Sequence, residues 1–147
     1  MEEKTLKSKK IAVVQSNYIP WKGYFDLIAS VDEFILFDDV QFTKRDWRNR
    51  NIIKTPNGPQ WLTIPVLSKG NYTQKINEVI VKNNEWSSDH WKAITLNYKR
   101  AKYFDEITDL LMPLYNDQQT FLSDINLNFI IQICKYLKIK TKISKDR

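Results

Sequence analysis

The sequence predicts an α/β fold: a three-layer-like open sheet that starts with a parallel β-α-β unit and passes into a helical C-terminal half. Three observations predict it. Ile11–Val14 (IAVV) is a short unbroken apolar run, as expected of a strand buried on both faces. Residues 34–37 (FILF) are a second such run. Between them Tyr24, Leu27, Ile28 and Val31 recur at the spacing that puts side chains on one face of a helix. Two strands joined through a helix are expected to lie parallel in one sheet. The loops that leave their C-terminal ends then share an edge, and open parallel sheets bind ligands at that edge.

The elements follow in order. Residues 1–9 (MEEKTLKSK) read as a disordered lead-in, and residues 10–147 as a single α/β domain. After the second strand, residues 41–54 show no clean periodicity and read as a basic loop. Pro56, Asn57, Gly58 and Pro59 read as a turn, since proline fixes φ and Asn-Gly accepts positive φ. Residues 60–66 (QWLTIPV) alternate as a strand does, with Pro65 expected at its end or at a sheet edge because it cannot donate to a ladder. Residues 76–81 read as a further strand. A helix capped by Ser87 or Ser88 is expected to show Trp91, Ile94, Thr95 and Tyr98 on one face. Residues 103–114 form a second helix that Pro113 should distort, and residues 124–136 a third with Ser123 as its cap. Residues 140–144 look like an entering strand for which the chain supplies no partner.

Composition narrows the chemistry. A chain of 147 residues fits one domain and can bury roughly 70% of its unfolded surface. The charged N-terminus lacks the apolar core of a secretory signal, and no run approaches the ~20 apolar residues of a membrane helix. One cysteine, Cys134, allows no internal disulfide, which fits a reducing cytoplasm. One histidine, His90, excludes a site needing two imidazoles and reads as a surface or packing residue. Three glycines, Gly23, Gly58 and Gly70, leave room for neither a dinucleotide fingerprint nor a P-loop, and no Cys/His cluster has zinc spacing. No cofactor or metal is therefore expected. The formal charge of +6 favours anionic partners, although much of it lies on lysines near the two ends.

Two polar stretches carry what chemistry remains. In the first loop Gln15, Asn17 and Tyr18 supply amide and phenol groups at a strand end, and Pro20-Trp21 makes a corner. Gly23 lets the helix start approach a ligand closely, where free backbone N–H groups favour anions, and Tyr24 follows it. The competing reading is that Trp21 and Tyr24 pack the helix on the sheet. In the second stretch Asp38 and Asp39 end a strand, and one of them can coordinate a cation or act as a general base while the other caps the following turn. Adjacent residues leave a strand on opposite faces, so the two should not share a proton. Lys44, Arg45 and Arg48, interleaved with Gln41, Trp47, Asn49 and Asn51, can clamp a pyrophosphate through bidentate contacts. Gln15, Asp38 and Asp39 are the catalytic candidates. Asn17, Tyr18, Trp21, Gly23, Tyr24, Gln41, Lys44, Arg45, Arg48 and Asn51 are the substrate-binding ones.

The motifs QSNYIPWKGYFDLI, DDVQFTKRDWRNRN, IKTPNGPQWLTIPV and LNYKRAKYF, in this order, resemble the WbqC-like family. The resemblance implies a role in surface-polysaccharide (O-antigen) synthesis, and a transferase that moves an acyl or aminoacyl group to a nucleotide-activated amino sugar. It implies as partners a nucleotide sugar or other phosphorylated small molecule and a carrier-bound acyl donor. Ser16 stands where the family usually has proline, and family members continue beyond the equivalent of Arg147. The chain is therefore expected to be C-terminally incomplete, with an uncovered sheet edge or face that promotes homo-oligomers. The spacing Pro20-x-x-Gly23-Tyr24 is also similar to the P-x-H-x-G-H loop of nucleotidylyltransferases, with Lys22 and Tyr24 where that loop has histidines. The alternative to a transferase is a basic nucleotide- or nucleic-acid-binding module without catalysis, in which aromatics such as Trp47 and Trp61 stack on bases.

Overall fold

A computed structural model describes residues 8–146, so most of the expected disordered lead-in lies outside the described residues. The chain runs β1 (Ile11–Val14), α1 (Lys22–Ala29), β2 (Glu33–Leu36), β3 (Arg50–Thr55), β4 (Gly58–Thr63), a short 3-10 turn (Ile76–Glu78), α2 (Glu85–Tyr98), α3 (Phe104–Asn116), α4 (Leu122–Tyr136) and β5 (Lys142–Lys145). The α/β class, the opening parallel β-α-β unit and the helical C-terminal half are all present.

β1, β2 and β5 form one parallel sheet with β2 in the middle, in the register Ala12 opposite Phe34 and Phe34 opposite Ile143. Of the residues 140–144 expected to enter a strand, 142–144 lie in β5, which does have a partner in β2, and this corrects the sequence expectation. Its alternation is weak because Lys142 and Lys145 are solvated, but Ile143 turns inward beside Phe34. The buried face of the sheet carries Phe34 and Leu36 and is covered by Tyr24, Phe25 and Ile28 of α1 and by Ile130 and Cys134 of α4. Full burial of side chains such as Phe34 and Ile28 contributes about 1.5–3 kcal/mol each. The other face is open at β1, where Ile11 and Val13 are each about half exposed. β1 is therefore not buried on both faces; an unbroken apolar run does not say which side lacks a cover. The α1 face also differs, since Phe25 rather than Leu27 turns inward.

β3 and β4 make an antiparallel hairpin, with Ile52 opposite Trp61 and Thr55 opposite Gly58. Gly58, at φ +106°, supplies the turn conformation expected of it. β3 overturns the reading of residues 41–54 as continuous loop: RNIIKT is too polar to show a period, and the hairpin ladder rather than an apolar stripe holds it. Pro65 falls past the end of β4, as its missing donor requires. Residues 76–81 are not a strand; they make the 3-10 turn and then isolated bridges from Ile80 to Phe121 and from Val81 to Val66.

The helical half packs on the hairpin around a second core that includes Tyr18, Ile64, Trp86, Tyr115 and Phe129. α2 starts at Glu85, before the serines expected to cap it, and Ser87 Oγ donates back to the Asn84 carbonyl at 3.0 Å. α3 carries Pro113 inside its last turn. α4 starts at Leu122, so Ser123 is a buried helical residue and not a cap. α4 touches both cores, with Phe129 in one and Ile130 in the other. No helix among the described residues is long and apolar enough to cross a membrane.

Candidate functional site

Both strands of the β-α-β unit release their loops at the same sheet edge, and a set of buried polar contacts joins those loops there. The Ser16 N–H donates to Asp38 Oδ1 at 2.8 Å, which fixes the end of β1 to the end of β2. Ser16 Oγ accepts from Asn126 Nδ2 of α4 at 3.0 Å, and the same amide donates to the Arg48 carbonyl at 2.9 Å. Ser16 and Asn126 are fully buried and Asp38 is 2% exposed. Burial raises the Asp38 pKa above the usual carboxylate range, against the pull of the Ser16 bonds and together with the nearby charge of Asp146. Asp38 Oδ2 and Asn126 Oδ1 are buried without hydrogen-bond partners.

Arg48 closes this assembly from the side of the basic loop. Its guanidinium donates to Gln15 Oε1 at 2.8 Å and to Asn17 Oδ1, so one fork holds the two amides of the first loop. Asp46 stands 3.6 Å away, already engaged by Thr43 Oγ1 and by the Trp47 N–H. The backbone follows the same seam: Tyr18 N–H donates to the Trp47 carbonyl at 3.1 Å. Asn51 Nδ2 donates to the carbonyls of Tyr18 and Ile19. Ile19 has φ +42°, a conformation that is strained for a β-branched residue and is maintained here by those contacts.

Beside these contacts lies a cavity of about 360 Å³ lined by Asn17, Tyr18, Pro20, Trp21, Trp47 and Asn51. Trp21 is 70% exposed, and its indole lies over the helix start: a Cβ on Gly23 would sit 2.1 Å from the ring. Gly23 thus serves the indole rather than a ligand approaching the backbone. Tyr24 is buried, and its hydroxyl donates to the Gln15 carbonyl at 2.9 Å; burial holds this phenol well above its ordinary pKa. It supports the loop from beneath.

Gln15, Asn17, Tyr18, Trp21, Arg48 and Asn51 are therefore brought together, with Gly23 and Tyr24 as their supports. Asp38 lies just behind them, sealed from solvent. Asp39 leaves the strand on the other side and pairs with Lys75 at 2.5 Å, a contact that lowers its pKa. Gln41 and Lys44 stand apart, where Gln41 Nε2 donates to the Tyr72 carbonyl at 2.8 Å and Lys44 lies over the Tyr72 ring. Arg45, at φ +61°, is exposed and contributes its carbonyl to Arg50.

Sequence reasoning missed Ser16, Asn126 and Asp146. Asn126 had a signal: it shares a helix face with the apolar Phe129 and Ile130, where a polar residue needs a buried partner. Asp146 accepts the N–H groups of Asp38 and Asp39 at 3.1 and 2.7 Å, which no local pattern announces. His90 proves to be a packing residue, 4% exposed: Nδ1 lies 2.9 Å from the Tyr18 hydroxyl and Nε2 3.2 Å from the Thr63 carbonyl. Cys134 belongs to the other core, and burial pushes its thiol up to about 11, so the two do not form a catalytic pair.

The "Uncharacterized protein Rv1507c" of Mycobacterium tuberculosis is 55% identical over 139 residues, covering 94% of this chain and 60% of that protein. The chain thus spans less than two thirds of the length of this relative. No solved structure matches the chain. The WbqC-like protein family matches over residues 15–147, from the first residue of the site loop onward, and the chain belongs to that family.

Proposed function

We propose that the protein binds a nucleotide-activated sugar at the C-terminal edge of its parallel sheet and takes part, in the cytoplasm, in transferring an acyl or aminoacyl group to it during surface-polysaccharide synthesis. The observation that carries the binding part is the Arg48 fork. Its positive charge is held at the strand ends by neutral amide oxygens, with one carboxylate at 3.6 Å. A phosphate arriving there meets that charge through the guanidinium N–H groups that Gln15 and Asn17 do not occupy. The transferase part rests on what the resemblance to WbqC-like proteins implies. In that reading Gln15 orients the reacting group, and Asp38 holds the loop through Ser16 rather than touching substrate.

The test is calorimetric titration of a nucleotide sugar into the wild type and Arg48→Gln. The variant should bind more weakly by about 1.5–3 kcal/mol for each charge-assisted hydrogen bond that the substitution removes. Equal affinity in a folded Arg48→Gln protein overturns the phosphate role. A second reading, a nucleic-acid-binding module, draws on the outer face of the hairpin. There the Arg50 guanidinium sits 3.9 Å over the Trp61 ring and Trp47 packs on Trp61 at 5.4 Å, an exposed aromatic and cationic ledge.

A further inference from the structure

We propose that the cavity between Trp21 and Trp47 is a base-stacking subsite that receives the nucleobase of the ligand, leaving the sugar end outside it. This rests on the phosphate reading of Arg48 and assigns which end of the molecule enters. Two indoles, those of Trp21 and Trp47, are among the side chains that line the cavity. Both are positioned before any ligand arrives: Trp21 lies against Gly23, and Trp47 packs on Trp61 beneath Arg50. A ring entering the cavity meets indoles that are already seated.

The polar groups of the lining argue for a base over a sugar. Asn51 is spent, with Nδ2 on two backbone carbonyls and Oδ1 accepting the Ile52 N–H at 2.7 Å. Arg48 occupies Asn17 Oδ1, and the Tyr18 hydroxyl is taken up by His90 and Tyr115. Among the described residues, Asn17 Nδ2 and the indole N–H groups of the lining have no protein acceptor, while its side-chain acceptors are engaged. A pyranose would bring several hydroxyl donors into a cavity whose side-chain acceptors are already engaged, and unmet polar groups are costly. A base with carbonyl acceptors on one edge and two apolar faces matches what is there. Asn17 joins the two halves: it lines the cavity and is held by the guanidinium assigned to phosphate, so a ring in the cavity and a phosphate at Arg48 are neighbours.

The test titrates inorganic pyrophosphate, glucose 1-phosphate, uridine, uridine diphosphate and a short oligothymidylate into the protein, read by calorimetry and tryptophan quenching. Uridine diphosphate should bind at least tenfold more tightly than pyrophosphate. Trp21→Ala should abolish that gain and Trp21→Phe retain most of it, with pyrophosphate binding unchanged in both; circular dichroism checks that the variants fold. The inference is overturned if Trp21→Ala leaves uridine diphosphate affinity intact, or if glucose 1-phosphate shows the same gain and the same loss. Tighter binding of the oligothymidylate than of uridine diphosphate overturns it in favour of a nucleic-acid partner. If pyrophosphate does not bind and Arg48→Gln changes nothing, the phosphate reading falls alone, provided uridine still binds and depends on Trp21. If no probe binds, both fall.

Discussion

At the scale of single residues, the site depends on groups whose work is to hold others. Gly23 is the clearest case. It lies in the first turn of α1, where alanine would favour the helix by up to about 1 kcal/mol. An alanine methyl cannot coexist with the indole of Trp21 at 2.1 Å, and it would displace that ring, which is 70% exposed, outward. Gly23→Ala should therefore leave stability unchanged or raised in urea unfolding while weakening uridine diphosphate binding as strongly as Trp21→Ala does. A loss of stability with binding intact would mean that the indole does not move. Such pairings limit what a sequence discloses. Gln15, Asn17 and Arg48 could be named as candidates from their chemistry, but their convergence depends on Ser16 and Asn126, separated by 110 positions.

At the scale of elements, what was legible follows the strength of the local pattern. β1, α1 and β2 could be read because an apolar run, a helical spacing and a second apolar run follow one another within 27 residues. β3 could not, because it is polar and gains its order from β4 rather than from its own alternation, and β5, legible as an entering strand, gave no local sign that its partner is β2. β5 shows what that neighbour supplies. Beyond its ladder with β2, the strand is followed by Asp146, whose carboxylate accepts two successive N–H groups, those of Asp38 and Asp39. Thr141 ties the approach to the strand, its hydroxyl donating to the Ile28 carbonyl at 2.7 Å. Asp146→Ala should destabilise the fold by about 1–3 kcal/mol, the usual effect of leaving such donors unmet. It also removes a negative charge that raises the Asp38 pKa, so that pKa should fall in the variant. Denaturant unfolding and carboxyl titration by NMR measure the two effects, and an unchanged Asp38 pKa would show that the Asp146 charge does not act on it.

At the scale of the whole molecule, the site loop is the joint between two cores. Tyr18 leaves the parallel sheet and enters the helical half, where its hydroxyl lies 2.9 Å from His90 Nδ1 and 2.5 Å from the Tyr115 hydroxyl. Thr63 of β4 accepts from the other side of the imidazole, which sets Nε2 as the donor and Nδ1 as the acceptor. One neutral ring thus links the first loop, the hairpin, α2 and α3. Burial holds its pKa down to about 4, opposed by the Thr63 carbonyl and by Asp89. An unfolded histidine titrates near 6.5. Between those values the unfolded chain carries a proton on His90 that the folded chain does not, so stability rises with pH across that window and is lost as pH falls through it. The loss amounts to about 3 kcal/mol by pH 4. Asp38 acts in the opposite sense at the acid end, because its raised pKa lets the folded state hold a proton that the unfolded state has given up. The His90 contribution is isolated by comparing urea unfolding of the wild type and His90→Gln at pH 7 and pH 4.5. Glutamine keeps an acceptor and a donor but does not titrate. The wild type should lose about 2–3 kcal/mol more than the variant between the two pH values. Parallel losses in both proteins would mean that the imidazole is free to protonate in the folded chain, and that Tyr18 is not anchored by a neutral ring.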